Sequence, residues 1–295
     1  MKDSKYNEEA PLQTPFEIKV NDRSWSFIIF QAATAAMLAG FVVATLTAAS
    51  TALDSGPKSS KLMYSSVLSA AICAVAYVNY SAMGRRRLIT IEKCKGRSTT
   101  DYKTGKCMAA DELDQFELTV LRYSDWVITM PLLSLKLLDL ASDGPCPLST
   151  GLLEWRYVQA LIGGLAMVMI SSGFLALIAT GDFEAVSTDN RCSAAVRWSL
   201  YSLGLGCLVM IYYLLFLTAT EAQSVHIVEV HMFALLWIGY PIVFVLQMFR
   251  LLPGIGKDIL FSILDVLSKP LLAVYICQTA LNRVLQDDEL SPVCV

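Results

Sequence analysis

Charge is scarce in this 295-residue chain: Asp, Glu, Lys and Arg make up 17% of it, against 55% hydrophobic residues. With a mean hydropathy of +0.53, that balance excludes a soluble domain of this size and places the chain in the membrane class. A basic excess is absent as well. The net charge is −3, so nothing points to nucleic acid as a partner. Histidine is nearly missing: His226 and His231 are the two in the chain, near the end of an apolar run. No Cys/His cluster has metal-ligand spacing, and no metal site is expected. Nor is a cleavable signal peptide visible, because residues 1–23 are polar, with Lys2, Lys5, Lys19 and Arg23 among acids and prolines. The apolar run that follows is about 25 residues long, the length of a membrane span and not of a signal core. The cysteines do not form a disulfide framework. Cys73, Cys207 and Cys277 lie inside apolar runs, where a thiol behaves as a small hydrophobe. Cys94 and Cys107 share one polar stretch; they pair if it faces an oxidising compartment and otherwise stay free.

What the chain has in abundance is long apolar runs. Windows able to cross a bilayer recur at about 24–49, 60–84, 115–141, 152–180, 194–219, 226–250 and 257–283. The expected fold is an all-α membrane protein, a bundle of seven transmembrane helices. Most linkers are short and carry turn chemistry, as in Asp54-Ser55-Gly56-Pro57, Asp143-Gly144-Pro145 and Pro253-Gly254. The exception is a long charged loop expected over 85–114. Residues 1–23 and 284–295 read as polar N- and C-terminal tails flanking the membrane domain 24–283.

Two spans carry charge where it is expensive. The third contains Arg122, Asp125, Lys136 and Asp139, and the seventh Asp265 and Lys269. Each such group costs about 2.5–3.5 kcal/mol at a helix centre, so it should face the bundle interior. Arg122, Asp125, Thr129 and Lys136 fall on one helical face, and Asp265 and Lys269 are an i, i+4 pair. A buried lysine must be paired, neutral or covalently changed. The bland reading of Lys269 is an intrahelical ion pair with Asp265. The functional one is a Schiff base, for which a desolvated amine is the right nucleophile. Such a fixed cation needs anions, and Asp125 and Asp265 together could provide them, with Arg122 bringing the cluster to neutrality. Trp126 on span three and Trp237, Tyr240 and Pro241 on span six outline a flat apolar slot. Pro241 should also kink its helix.

These residues match a known pattern. Arg122-Tyr123-Ser124-Asp125-Trp126 followed by Thr129-Met130-Pro131-Leu132-Leu133 resembles the third-helix signature of microbial (type 1) rhodopsins. Trp237-Ile238-Gly239-Tyr240-Pro241 resembles their sixth-helix pocket. Asp265 through Lys269 resembles the seventh-helix D-x-x-x-K that binds retinal. The motifs occur in the family's order and spans. The resemblance implies all-trans retinal on Lys269 as a protonated Schiff base, Asp125 as primary counterion and proton acceptor, and Asp265 as second counterion. It implies that Arg122 is the arginine that switches position, and Thr129 the threonine that hydrogen-bonds the acceptor. Trp126, Trp237, Tyr240 and Pro241 then form the retinal slot, Leu133 is a colour-tuning position associated with green absorption, and Tyr77 is the tyrosine near the second counterion.

On that resemblance the chain is a photoreceptive ion transporter and not an enzyme. An outward proton pump is the first expectation, because an Asp acceptor with a following Thr is present. The internal donor position of such pumps is held here by Lys136. It either donates a proton after a conformational change, or snorkels to the surface and pairs with Asp139. A light-gated ion channel is the alternative, suggested by Ser268 before Lys269, and a photosensory rhodopsin the third. Paired glutamates are lacking before span seven, so proton release is expected to be late. The expected partners are retinal, protons or small ions, the lipid bilayer of a plasma or organellar membrane, and further copies of the chain in a homo-oligomer. Orientation is in conflict. The family's outside N-terminus leaves only Lys58, Lys61, Arg156 and Arg283 on the inner side, against the positive-inside tendency.

Overall fold

The computed structural model describes residues 15–52, 57–94, 106–142, 155–178, 190–224, 226–249, 251–252, 254–275 and 277–278. Seven helices account for nearly all of these residues. They are α1 (Pro15–Ala52), α2 (Pro57–Cys94), α3 (Lys106–Ala141), α4 (Trp155–Ile178), α5 (Asn190–Glu221), α6 (Ile227–Met248) and α7 (Gly254–Val266). The last continues through a π-helical turn at Leu267–Leu271 and returns to α geometry. The chain is a multi-pass integral membrane protein, and its burial pattern is inverted relative to a soluble domain. Leu235 is 72% exposed while Asp125 and Asp265 are 0% exposed, so apolar side chains face lipid and the charges face inward. With no water in a bilayer core, backbone groups must be satisfied within each helix. Serine and threonine hydroxyls follow suit: Thr34, Ser69 and Thr129 each donate to the carbonyl four residues before them.

Five helices are apolar and long enough to span a membrane on composition alone. The other two, α3 and α7, carry most of the buried charges: Arg122, Asp125, Lys136, Asp258, Asp265 and Lys269. The helices run up and down. The start of α1 and of α7 and the end of α2 meet at one face, where Ser26, Asp258 and Arg87 touch. This is the N-terminal face of the bundle.

The expected loop over 85–114 is corrected. Helix α2 runs on to Cys94 and α3 begins at Lys106, because charge ends an apolar window without ending a helix. Arg86 on α2 forms an ion pair with Glu117 on α3, binding the extensions together. Residues 15–23, read as tail, are likewise helical. The proposed pairing of Cys94 with Cys107 lies outside the described side chains.

Pro270 explains the π turn. Its missing N–H and its ring prevent ordinary α bonding, and Leu272 N–H donates to the Leu267 carbonyl five residues back. Gly40 on α1 faces this turn. A Cβ there would lie 2.6 Å from Pro270 Cβ and 3.1 Å from Cys73 Sγ, so only glycine lets α1 approach the backbone that carries Lys269.

Candidate functional site

Lys269 is fully buried on the π turn, where its amine meets two carboxylates. Asp125 Oδ2 on α3 accepts a hydrogen bond from Lys269 Nζ, and Asp265 Oδ1, one turn earlier on α7, lies 2.8 Å from it. The third and seventh helices thus bring together the three groups that the spacing had aligned.

The two carboxylates are not equivalent. Asp265 Oδ1 accepts from Trp126 Nε1 at 2.9 Å and from the Tyr240 hydroxyl at 2.8 Å, while Oδ2 accepts from the Tyr80 hydroxyl at 2.7 Å. Ser268 Oγ sits 2.8 Å from the same Tyr240 oxygen. Asp265 is therefore held by donors on α2, α3 and α6. Asp125 has Lys269 on one oxygen, and its Oδ1 is buried without a hydrogen-bond partner. Thr129 lies one turn along, and its hydroxyl donates to the Asp125 backbone carbonyl at 2.9 Å.

The tyrosine that reaches Asp265 is Tyr80, not Tyr77. The two lie three residues apart on α2, and the depth of Asp265 selects the later one. Tyr77 is partly buried against the cluster of Phe30, Met37 and Leu118.

Beside the charges lies an apolar cavity. It is lined by Tyr123, Trp126 and Met130 from α3, Met169, Ile170 and Gly173 from α4, and Tyr201, Gly204, Leu205 and Leu208 from α5. Trp237, Tyr240, Pro241 and Phe244 from α6 and Phe261 from α7 complete it. The four slot residues named from sequence all line it. Leu133 does not: it is fully buried in the packed core one turn further along α3. Trp126 packs edge-on to Tyr240 and Phe261, with ring centres 5.0 and 5.2 Å apart. The indole nitrogen of Trp237 is buried without a hydrogen-bond partner. Pro241 sits inside an unbroken α6.

Lys136 does not snorkel. It is 1% exposed, donates to Ser69 Oγ, and lies 3.5 Å from the Ala273 carbonyl and 3.8 Å from Cys277 Sγ. These partners are on α2 and the end of α7, on the far side of Lys269 from the N-terminal face.

Arg122 was expected to bring the lysine cluster to formal neutrality. It points instead toward the N-terminal face, where its Nη2 lies 3.4 Å from Asp258 Oδ1 and its guanidinium covers the Phe261 ring at 5.0 Å. The same Asp258 takes Arg87 Nη2 at 3.1 Å and the Ser26 hydroxyl at 3.1 Å. Asp258 and Arg87 were missed because each stands among charges at a helix end, where solvated residues are the rule. Only the convergence of four helices buries them.

A family model described as bacteriorhodopsin-like protein matches residues 26–282. No curated protein matches the chain. Among solved structures, xanthorhodopsin, titled a light-driven ion pump with dual chromophore, is similar at 23% identity and a TM-score of 0.64, covering 95% of this chain and 99% of that one. The proton pumping rhodopsin of the marine alga Acetabularia acetabulum is 21% identical with a TM-score of 0.58, covering 95% and 100%. The light-driven proton pump of Coccomyxa subellipsoidea is 19% identical with a TM-score of 0.56, covering 86% and 96%. At these identities the likeness establishes the fold.

Proposed function

The chain belongs to the bacteriorhodopsin-like family, and from that premise we propose that it is a retinal-binding, light-driven outward proton pump, with retinal held on Lys269 as an all-trans protonated Schiff base. The observation that carries this reading is Lys269 Nζ buried between two carboxylates of unequal surroundings. The residues fit the cofactor. A buried amine adjoins an aromatic, apolar slot, and two polar atoms there, Asp125 Oδ1 and Trp237 Nε1, are left without partners. Bound retinal supplies light absorption and a change of shape.

The chain's own residues supply the proton path. Asp265 uses both oxygens on Trp126, Tyr240 and Tyr80 and acts as a fixed anion. Asp125 has an open oxygen, so a proton leaving Lys269 Nζ reaches it without displacing another donor. On the other side, Lys136 has a hydroxyl, a carbonyl and a thiol as its contacts. Among the described residues none of its contacts is an anion, and an unpaired ammonium is costly in such a place. Lys136 therefore serves as a neutral amine that takes up a proton and passes it on toward Lys269.

The test is expression with all-trans retinal. The expected result is visible colour that Lys269→Ala abolishes. Illuminated cells should acidify an unbuffered medium, and a protonophore should remove the change. Under voltage clamp the photocurrent should keep one sign. A current that reverses with the ion gradient would show a light-gated channel, and a colourless protein would end the retinal reading.

A further inference from the structure

Two arginines share one buried aspartate at the N-terminal face. Asp258, 1% exposed on α7, receives Arg87 from α2 at 3.1 Å, Arg122 from α3 at 3.4 Å and the hydroxyl of Ser26 from α1 at 3.1 Å. Arg87 and Arg122 are themselves 2% and 3% exposed. The formal charge of this group is +1, while Lys269 with Asp125 and Asp265 makes −1. The two groups balance across Phe261, whose ring lies under Arg122 and against Trp126.

We infer that Arg87 is a positioning residue for Arg122: by occupying Asp258 it weakens the outward hold on Arg122 and leaves that guanidinium able to move toward Asp125. The inference rests on the retinal reading above. Asp258 has two oxygens and two guanidiniums. When Arg122 leaves, Oδ1 is opened, but Arg87 and Ser26 still hold Oδ2, so the anion keeps a cation beside it in the bundle. Without Arg87, the same departure would strand Asp258, and Arg122 would stay outward. Without Asp258, two like charges would face each other, and Arg122 would be driven inward.

The groups that set the field around Asp125 are known from the site. Lys269, Asp265 and Asp258 come from α7, with Lys257 beside the last, and Arg122 comes from the same helix as Asp125. Tyr80 and Arg87 come from α2 and Tyr240 from α6, and Thr129 lies one turn along α3. Arg122 is the mobile charge among them.

The experiment is a pH titration of the visible band of the retinal-loaded protein, read as the midpoint of the acid colour change. Arg87→Gln should raise that midpoint, and Asp258→Asn should lower it, each by about one pH unit for a unit charge moved a few ångströms in a buried site. Direct loss of charge would shift the midpoint with the same signs, so the deciding arm repeats both substitutions on Arg122→Gln. There the shifts should fall below about 0.3 unit if Arg122 transmits them, as expected for coupled sites. Shifts of undiminished size on Arg122→Gln, or no shift from either single substitution, overturn the inference. Should Arg87→Gln yield no coloured protein, the Asp258→Asn pair of titrations decides by the same criterion. A colourless parent protein overturns the retinal reading and this inference with it. A coloured, pumping parent with unmoved midpoints overturns this inference alone.

Discussion

Replacing Asp265 by Asn should destabilise the loaded protein far more than replacing Asp125 by Asn, although both carboxylates flank one amine. Each substitution removes one ion pair with Lys269, so that loss is common to the two. The difference lies in the neutral donors. Asp265 accepts from Trp126, Tyr240 and Tyr80 at 2.9, 2.8 and 2.7 Å, whereas Asp125 Oδ1 has no partner. Asparagine keeps one acceptor oxygen, so either Tyr80 or the Trp126–Tyr240 pair comes to face an amide NH2. A buried donor left unmatched costs about 1–3 kcal/mol, and each bond that loses its charged acceptor weakens by about 1 kcal/mol. Where Tyr80 is the donor left over, the sum is about 3–5 kcal/mol, and at about 1.4 kcal/mol per tenfold it corresponds to a more than 100-fold faster thermal loss of colour. The assay follows the visible band of purified protein at a fixed raised temperature. Bleaching rates for the two variants within threefold of each other, or a faster rate for Asp125→Asn, would refute the assignment of unequal roles.

The same bleaching assay separates the two tyrosines of α2. Tyr80→Phe should lose about 1.5–3 kcal/mol, the worth of a hydrogen bond to a charged group, while Tyr77→Phe should stay within about 0.5 kcal/mol; equal effects would contradict the placement of Tyr80. Gly40→Val should cost about 1–3 kcal/mol through overpacking against the rigid Pro270 ring, whereas Gly163→Ala, with nothing within 4 Å of the added Cβ, should be silent; a stable Gly40→Val protein would mean that α1 does not brace the π turn. Lys136→Met should leave the dark spectrum unchanged and slow recovery of the dark state after a flash by at least about tenfold at alkaline pH; an unchanged recovery rate would remove Lys136 from the proton path.

The seven helices and the central trio of Asp125, Asp265 and Lys269 were legible because membrane burial makes charge expensive. A charge inside an apolar window is a signal in itself, and helical spacing says which charges share a face. The same logic fails at helix ends. Arg87 belongs to the run Arg85-Arg86-Arg87 and Asp258 follows Lys257, so each reads as an ordinary border residue. Arg86, next in line, is about one-third exposed and pairs with Glu117, and nothing local distinguishes it from its buried neighbour. The choice between Tyr77 and Tyr80 was equally closed to sequence, since residues three apart share a helical face and differ only in depth. The π turn had a visible cause in Pro270. Its effect on the placement of Lys269 depends on Gly40, more than 200 residues away in the chain.

On the proposed reading, the order of groups along α3 and α7 gives transport a direction in the frame of the molecule before its orientation in the membrane is considered. From the N-terminal face inward, α7 presents Asp258, Phe261, Asp265 and Lys269, then Ala273 and Cys277 at the level of Lys136. Helix α3 runs in parallel with Arg122, Asp125, Thr129 and Lys136. Every described carboxylate in contact with Lys269 or Arg122 therefore lies toward the N-terminal face, and the contacts of Lys136 on the other side contain none. Among the described residues, a proton released from Lys269 finds its acceptor toward the N-terminal face, and its replacement comes through an amine. Reversed insertion in the membrane would change the side that becomes acidic without changing this order. The sign of the light-induced pH change, measured together with the accessibility of an N-terminal tag on intact cells, tests it. Acidification should always occur on the side where the tag is found, and acidification on the opposite side would refute the assignment of Asp125 as the acceptor.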